Sequence, residues 1–171
     1  MSDSPPIPTA SLSPEQDATW NGYQRMRLRL AERLNRDLAQ RTGLSEADYE
    51  ILAFLADRPH TPVRAIALRC GLQWEKSRLS HQLRRMEERG LIQRLACPAD
   101  NRSFEVAITD AGREKVSTAK TVYAHLVRQY VFAALTPKQV DALGEVANAI
   151  LSTLMDENPH GPQGISKKQS G

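Results

Sequence analysis

Little in this chain invites a redox or metal-centred reading. Its only cysteines, Cys70 and Cys97, lie far apart with no CxxC, so neither a disulfide framework nor a zinc-site spacing is indicated. Long apolar runs are missing too: no stretch approaches the roughly 18 residues that cross a bilayer. The opening residues, MSDSPPIPTASLSP, lack a basic start and an apolar core, so no signal peptide is expected and the protein is placed in the cytoplasm. No GxSxG, HExxH, P-loop or dinucleotide fingerprint occurs. The four histidines, His60, His81, His125 and His160, form no spaced set. The expectation is a protein that is not an enzyme and uses no cofactor or metal.

What is present is ordinary in amount and uneven in placement. Hydrophobic residues make up 40% and charged residues 25% of the 171, which suits one globular unit with tails. Net charge is only +3, yet residues 60–102 hold nine cations against four anions, a surplus of five. The rest of the chain is therefore slightly acidic. A concentrated basic patch suggests a polyanionic partner, although a solvated Arg-rich helix face would look the same by charge alone.

Residues 1–13 and 157–171 are rich in Pro, Ser and Gly and are expected to be disordered tails. A long helix is predicted from about residue 14 to residue 41, with Ser13 as N-cap and Pro14 first, and with Trp20, Tyr23, Leu30, Leu34 and Leu38 at helical spacing. Its length suggests a bridge or an arm against another subunit. After Gly43, the segment LSEADYEILAFLAD predicts a second helix, with Ser45 as cap and Asp48 in place of the usual Glu or Gln of a capping box. A short helix is expected next, capped by Thr61, started by Pro62 and running to Cys70. It would bury Val63, Ile66, Ala67 and Cys70, and would make Cys70 inert core. Gly71 would then permit a tight turn into a basic helix from Gln73 to Arg89, closed by Gly90. This is the order of a helix-turn-helix.

From Leu91 the period becomes two. Leu91–Ala96 and Phe104–Thr109 predict a hairpin around CPADNRS, which puts Cys97 in the exposed loop. Thr109 should cap a further helix with Val116, Ala119, Tyr123, Leu126 and Tyr130 on one side. Thr136 and Pro137 should start another, in which Val140, Leu143, Ala147, Ile150 and Leu154 step by three and four. Such a narrow seam fits packing within the chain or, the preferred reading, pairing with a second copy.

On the basic helix, residues at about 100° steps separate cleanly. Leu79, Leu83 and Met86 share the inner stripe. Trp74, Ser77, His81, Arg84, Arg85 and Glu88 share the outer face, with Arg78 and Ser80 on the flanks. With Gln73 and Lys76, these supply the donors a recognition helix needs for base edges and phosphates. Asp100 and Arg102 sit at the hairpin tip, where an Arg can enter a narrow minor groove and an Asp can orient it.

Taken together, LSEADYEILAFLAD, SRLSHQLRRMEERGLIQR, the Asp100–Arg102 tip and ITDAGRE resemble the MarR family of bacterial winged-helix transcriptional regulators over roughly residues 15–155. The resemblance implies a mainly α fold with a small β-hairpin wing. A DNA-binding winged helix would occupy about residues 44–109, and dimerisation helices about 14–41 and 110–156, within one unit of 14–156. It also implies a homodimer that binds double-stranded DNA at a pseudo-palindromic operator, usually as a repressor, with the protein on the nucleoid when bound. Many members are released by small, often phenolic, molecules. Here Trp20, Tyr23 and Arg27, with Tyr49 opposite, would suit a small aromatic acid; in the other and preferred reading Trp20 and Tyr23 form inter-subunit core. Three departures stand out: Ser103 follows the wing Arg where members often have another Arg or Gly, Met86 stands where Leu is common, and no Cys precedes Cys70. The other readings are an architectural winged helix with weak sequence preference and no effector, and a protein-interaction winged helix.

Overall fold

The computed structural model describes residues 11–58, 61–96 and 104–156. The expectations for residues 1–10 and 157–171, for Cys97 and for Asp100 and Arg102 lie outside the described residues.

Helix α1 spans Pro14–Thr42. Its start is a full capping box: the Ser13 hydroxyl accepts from the Gln16 amide, and the Gln16 side chain accepts from the Ser13 amide. Gly43 ends it with φ 72, a left-handed backbone that suits glycine. Only the C-terminal part of α1 is buried, through Leu34, Asp37, Leu38 and Thr42. Trp20, Tyr23, Met26 and Leu28 stay exposed.

Helix α2 spans Glu46–Ala56, and the expected box forms between Ser45 and Asp48. The next element differs from expectation. Val63–Arg64 form a short strand, β1, so Thr61 and Pro62 do not start a helix. Helix α3 is Ala65–Leu72, with Arg64 in the cap position and no side-chain cap bond. The three-residue shift in its start changes the buried face. Leu68 is buried, while Ile66, Ala67 and Cys70 are exposed, so the expected inert-core Cys70 is corrected to a surface residue.

Gly71 is not the turn either. It lies inside α3, where an added Cβ would come within 2.3 Å of the Phe54 ring; its role is close approach of α3 to α2. The turn belongs to Gln73, at φ 54, with the Gln73 amide bonding to Cys70 O and the Trp74 amide to Arg69 O. A non-glycine residue there is strained.

Helix α4 is Lys76–Glu88. Its exit is a Schellman turn: Gly90 has φ 69, its amide reaches Glu87 O, and the Leu91 amide reaches Met86 O. The strands β2 (Ile92–Ala96) and β3 (Phe104–Ile108) pair antiparallel, with Ile92 opposite Ile108 and Ala96 opposite Phe104. Strand β1 adds to the other edge of β3, Val63 opposite Val106, for a sheet order β1-β3-β2.

Helix α5, Asp110–Tyr130, starts at Thr109, whose hydroxyl accepts from the Gly112 amide and donates to Gly90 O. One core joins these parts. Leu38, Leu44, Ile51, Leu52, Leu55, Leu68, Leu83, Met86, Ile92, Val106 and Leu126 are almost fully buried together. After a 3-10 turn at Phe132–Ala134 comes α6, Pro137–Asp156. It stands largely clear of this core: Val140 is partly covered, and Leu143, Val146, Ile150, Leu151 and Leu154 are between 46% and 58% exposed.

Candidate nucleic-acid interface

Helix α4 is anchored by its apolar stripe. Leu79, Leu83 and Met86 are at most 3% exposed, as the wheel predicts. That burial leaves Ser77, His81, Arg84 and Arg85 exposed on the opposite side and Arg78 and Ser80 exposed on the flanks, with Lys76 exposed beside the stripe in the first turn and Gln73 exposed in the preceding turn. Glu75 occupies the N-cap without a side-chain bond to the helix, so no side chain from the cap closes the first turn to an anion.

Trp74 departs from the expected outer face. It is 7% exposed and belongs to the core. The wheel placed it outward by extending the helix to Gln73, but the left-handed turn at Gln73 breaks that frame before α4 begins. Its ring supports Arg78, whose guanidinium carbon lies 3.9 Å from the ring centroid. A packed aromatic floor restricts the Arg78 rotamers and holds the cation beside the helix start.

Other cations of the basic segment serve the lobe itself. Arg94 donates to Glu87 and lies over the Phe104 ring, tying β2 to α4; its hydrogen bonds hold the Glu87 carboxyl below the usual value. Arg84 stands 3.9 Å from Glu88, a weak exposed pair that leaves it available to another anion.

Arg89 was expected as a cation in the last turn of the basic helix. It donates to Asp48 at 2.8 Å and to Gly43 O at 2.7 Å. Gln82 donates to the other Asp48 oxygen at 2.7 Å. Burial alone would raise the Asp48 carboxyl; the bonds from Arg89 and Ser45 outweigh it and hold the group below its ordinary range. The one sequence signal for this cluster was the short Asp in the capping-box position.

A groove of about 250 Å³ runs between α3, α4 and β3, lined by Ile66, Arg69, Lys76, Leu79, Ser80 and Phe104. The four residues expected to form an aromatic-acid site are not gathered within one chain. Trp20 stacks on Tyr23 at 5.4 Å, and Arg27 bonds Gln24 on the same helix. Tyr49 instead stacks on Tyr123 of α5 at 4.7 Å. The Glu46 amide bonds Asn35, which fixes the start of α2 beside the C-terminal third of α1. At 1.5 Å per residue, Asn35 stands roughly 22 Å along the helix from Trp20.

Comparison with known proteins agrees with this geometry. The model of the MarR family matches residues 42–103, the stretch from the end of α1 to the residue before β3. A MarR family transcriptional regulator from Streptomyces coelicolor, solved in complex with DNA, is 32% identical; the match covers 84% of this chain and 94% of that one, with a TM-score of 0.77. AbsC, another MarR family regulator from Streptomyces coelicolor, is 28% identical over 86% of this chain and 99% of its own, also at 0.77. A cysteine-to-serine variant of MarR from Escherichia coli, solved with operator DNA, shares the fold at a TM-score of 0.70 and 20% identity, over 83% of this chain and 99% of that chain. With its helix-turn-helix, its three-stranded wing sheet and a relative 32% identical over 94% of that relative's length, the chain belongs to the MarR family of transcriptional regulators.

Proposed function

We propose that two copies of this chain bind a pseudo-palindromic operator and repress the genes beside it. The carrying observation is the outer face of α4. It gathers exposed donors of several kinds, Ser77, Ser80, His81, Arg84 and Arg85, on a helix whose other side is locked in the core. Arg side chains suit guanine O6 and N7, and small hydroxyls suit phosphates or base edges. Arg78, steadied on Trp74, and the uncapped start of α4 would hold the backbone, while Arg102, with Asp100 beside it, would enter the minor groove.

Dimerisation is supported by apolar surface that one chain leaves uncovered. The α6 face of Leu143, Val146, Ile150, Leu151 and Leu154 and the α1 face of Trp20, Tyr23 and Met26 would lie exposed in a lone subunit. Contiguous apolar faces of this kind mark interaction sites. The arms α1, α5 and α6 would interlock, and the winged-helix lobe would be presented to DNA. A small aromatic effector remains part of the proposal through the exposed Trp20–Tyr23 stack beside Arg27. Release of bound DNA by benzoate-type acids, weakened by Tyr23→Ala, would support it; release unchanged by that variant would remove it.

The test is titration of the purified protein against its own upstream intergenic DNA with random duplex as competitor. A discrete complex that survives competitor is expected. Equal affinity for random DNA would favour an architectural role. A sedimentation measurement on the same sample is expected to give a dimer.

A further inference from the structure

The Asp48 cluster does more than close a helix end. Its carboxylate is buried, with a side-chain exposure of 2%, and takes bonds from two elements, the start of α2 and α4 with its C-cap. The Ser45 amide, at the start of α2, donates at 2.9 Å. Gln82 and Arg89, both on the α4 side, donate from positions two turns apart. Arg89 uses its second nitrogen on Gly43 O, the residue that ends the long arm helix α1. The same end of α1 is held from α5, where Lys115 donates to Thr42 O at 3.1 Å. Two points on one helix fix its direction as well as its position. Here both points converge on a single buried acceptor next to the end of the arm.

We infer that Asp48, Gln82 and Arg89 are positioning residues that set the angle of the recognition helix against the arm, and so set the half-site spacing the protein accepts. None of the three needs to touch a base. Apolar packing of Leu79, Leu83 and Met86 holds α4 on the core, but such contacts are non-directional and tolerate small rotations. The charge-assisted bonds to Asp48 are directional and short. This inference rests on the proposed dimer with two recognition helices.

The experiment uses full-length protein and duplexes carrying two inverted copies of the half-site recovered by selection from random DNA. The gap between them is lengthened by one or two base pairs. Each inserted pair moves one half-site by about 3.4 Å and about 35°. Wild-type protein is expected to lose affinity about tenfold or more per pair, on the scale of a mismatched base pair. Arg89→Gln and Gln82→Leu are expected to lose about threefold or less per pair, with the dimer intact and binding to a single half-site changed about equally for both sites. Because the readout is a ratio between spacings, a uniform loss of stability or of one phosphate contact cancels. Arg89 is 38% exposed and Gln82 partly exposed, so two independent variants are available should one fold poorly. Variants as sharply tuned as wild type would overturn the inference and leave the dimer standing. A wild-type protein indifferent to spacing would overturn the two-half-site reading, and this inference with it.

Discussion

Trp74→Ala separates an anchor from a base-reading residue. In the structure Trp74 is buried among the core side chains and carries Arg78 on its face. A buried Trp covers about 150–250 Å², worth roughly 4–6 kcal/mol at about 25 cal/mol per Å². Residual burial in the unfolded chain lowers that figure, and truncation of such residues costs about 3–5 kcal/mol. For a chain of this size each kcal/mol shifts the melting midpoint by about 2–4 °C, so a fall of roughly 6–20 °C is expected. Trp74→Phe keeps a ring beneath Arg78, and its fall should be much smaller. Urea unfolding would measure the stability of both variants, and DNA titration well below the melting midpoint would measure binding. The Phe variant should keep the sequence preference of wild type, with affinity within about twofold of it, because RT at room temperature makes twofold only about 0.4 kcal/mol. A stable Phe variant with altered base preference would refute this reasoning and return Trp74 to the DNA contacts.

Four further outcomes follow from the same structure. Gly112→Ala should destabilise strongly, by about 3 kcal/mol or more, since its Cβ would lie 2.2 Å from the backbone Leu91 O, which cannot yield as a side-chain tip can. A urea midpoint equal to wild type would contradict the close approach of α5 to the base of the wing. Asp48 has a folded-state pKa below its unfolded value of about 3.9, so its contribution is full above that value and is lost as pH falls through the folded-state value. The stability gap between wild type and Asp48→Asn should therefore be widest near neutral pH and should close below about pH 4; a gap that grows on acidification would reverse the assignment. Ending the chain before Leu135 should leave a folded monomer, because α6 barely touches the core; a stable dimer in sedimentation would contradict the proposed role of α6. Arg102→Ala should weaken operator binding and reduce the salt slope by about 0.9, as one phosphate-region cation is lost; an unchanged slope would sink that placement.

Much of the fold was legible because local rules and tertiary packing agree. Ser13, Ser45 and Thr109 are caps in sequence and in structure, and the stripe of Leu79, Leu83 and Met86 points inward as its spacing requires. The failures cluster between residues 61 and 75. Strand β1 is two residues long and exists only because β3 pairs with it, so no periodicity announces it. Thr61-Pro62 imitates a helix start, and the false frame rotated Cys70 inward and hid the burial of Leu68. Gly71 looked like the turn because glycine permits one, whereas the backbone places its left-handed residue at Gln73 and uses Gly71 for contact with Phe54. The exposed donors of α4 were visible from its amphipathic pattern. The Asp48 cluster was not, since its members come from residues 43 to 89 and only the packed lobe unites them.

The most direct measurement of the central claim is selection from a pool of random duplexes, run in parallel with wild type and with Arg84→Ala, a residue exposed on the outer face of α4 and remote from its buried stripe. Wild type is expected to enrich two inverted half-sites, and the variant to relax the preference at the same position in each, at a cost of about 1–3 kcal/mol there. No enrichment by wild type, or enrichment unaltered by this change and by Arg85→Ala and His81→Ala as well, would contradict the account that this helix face reads DNA.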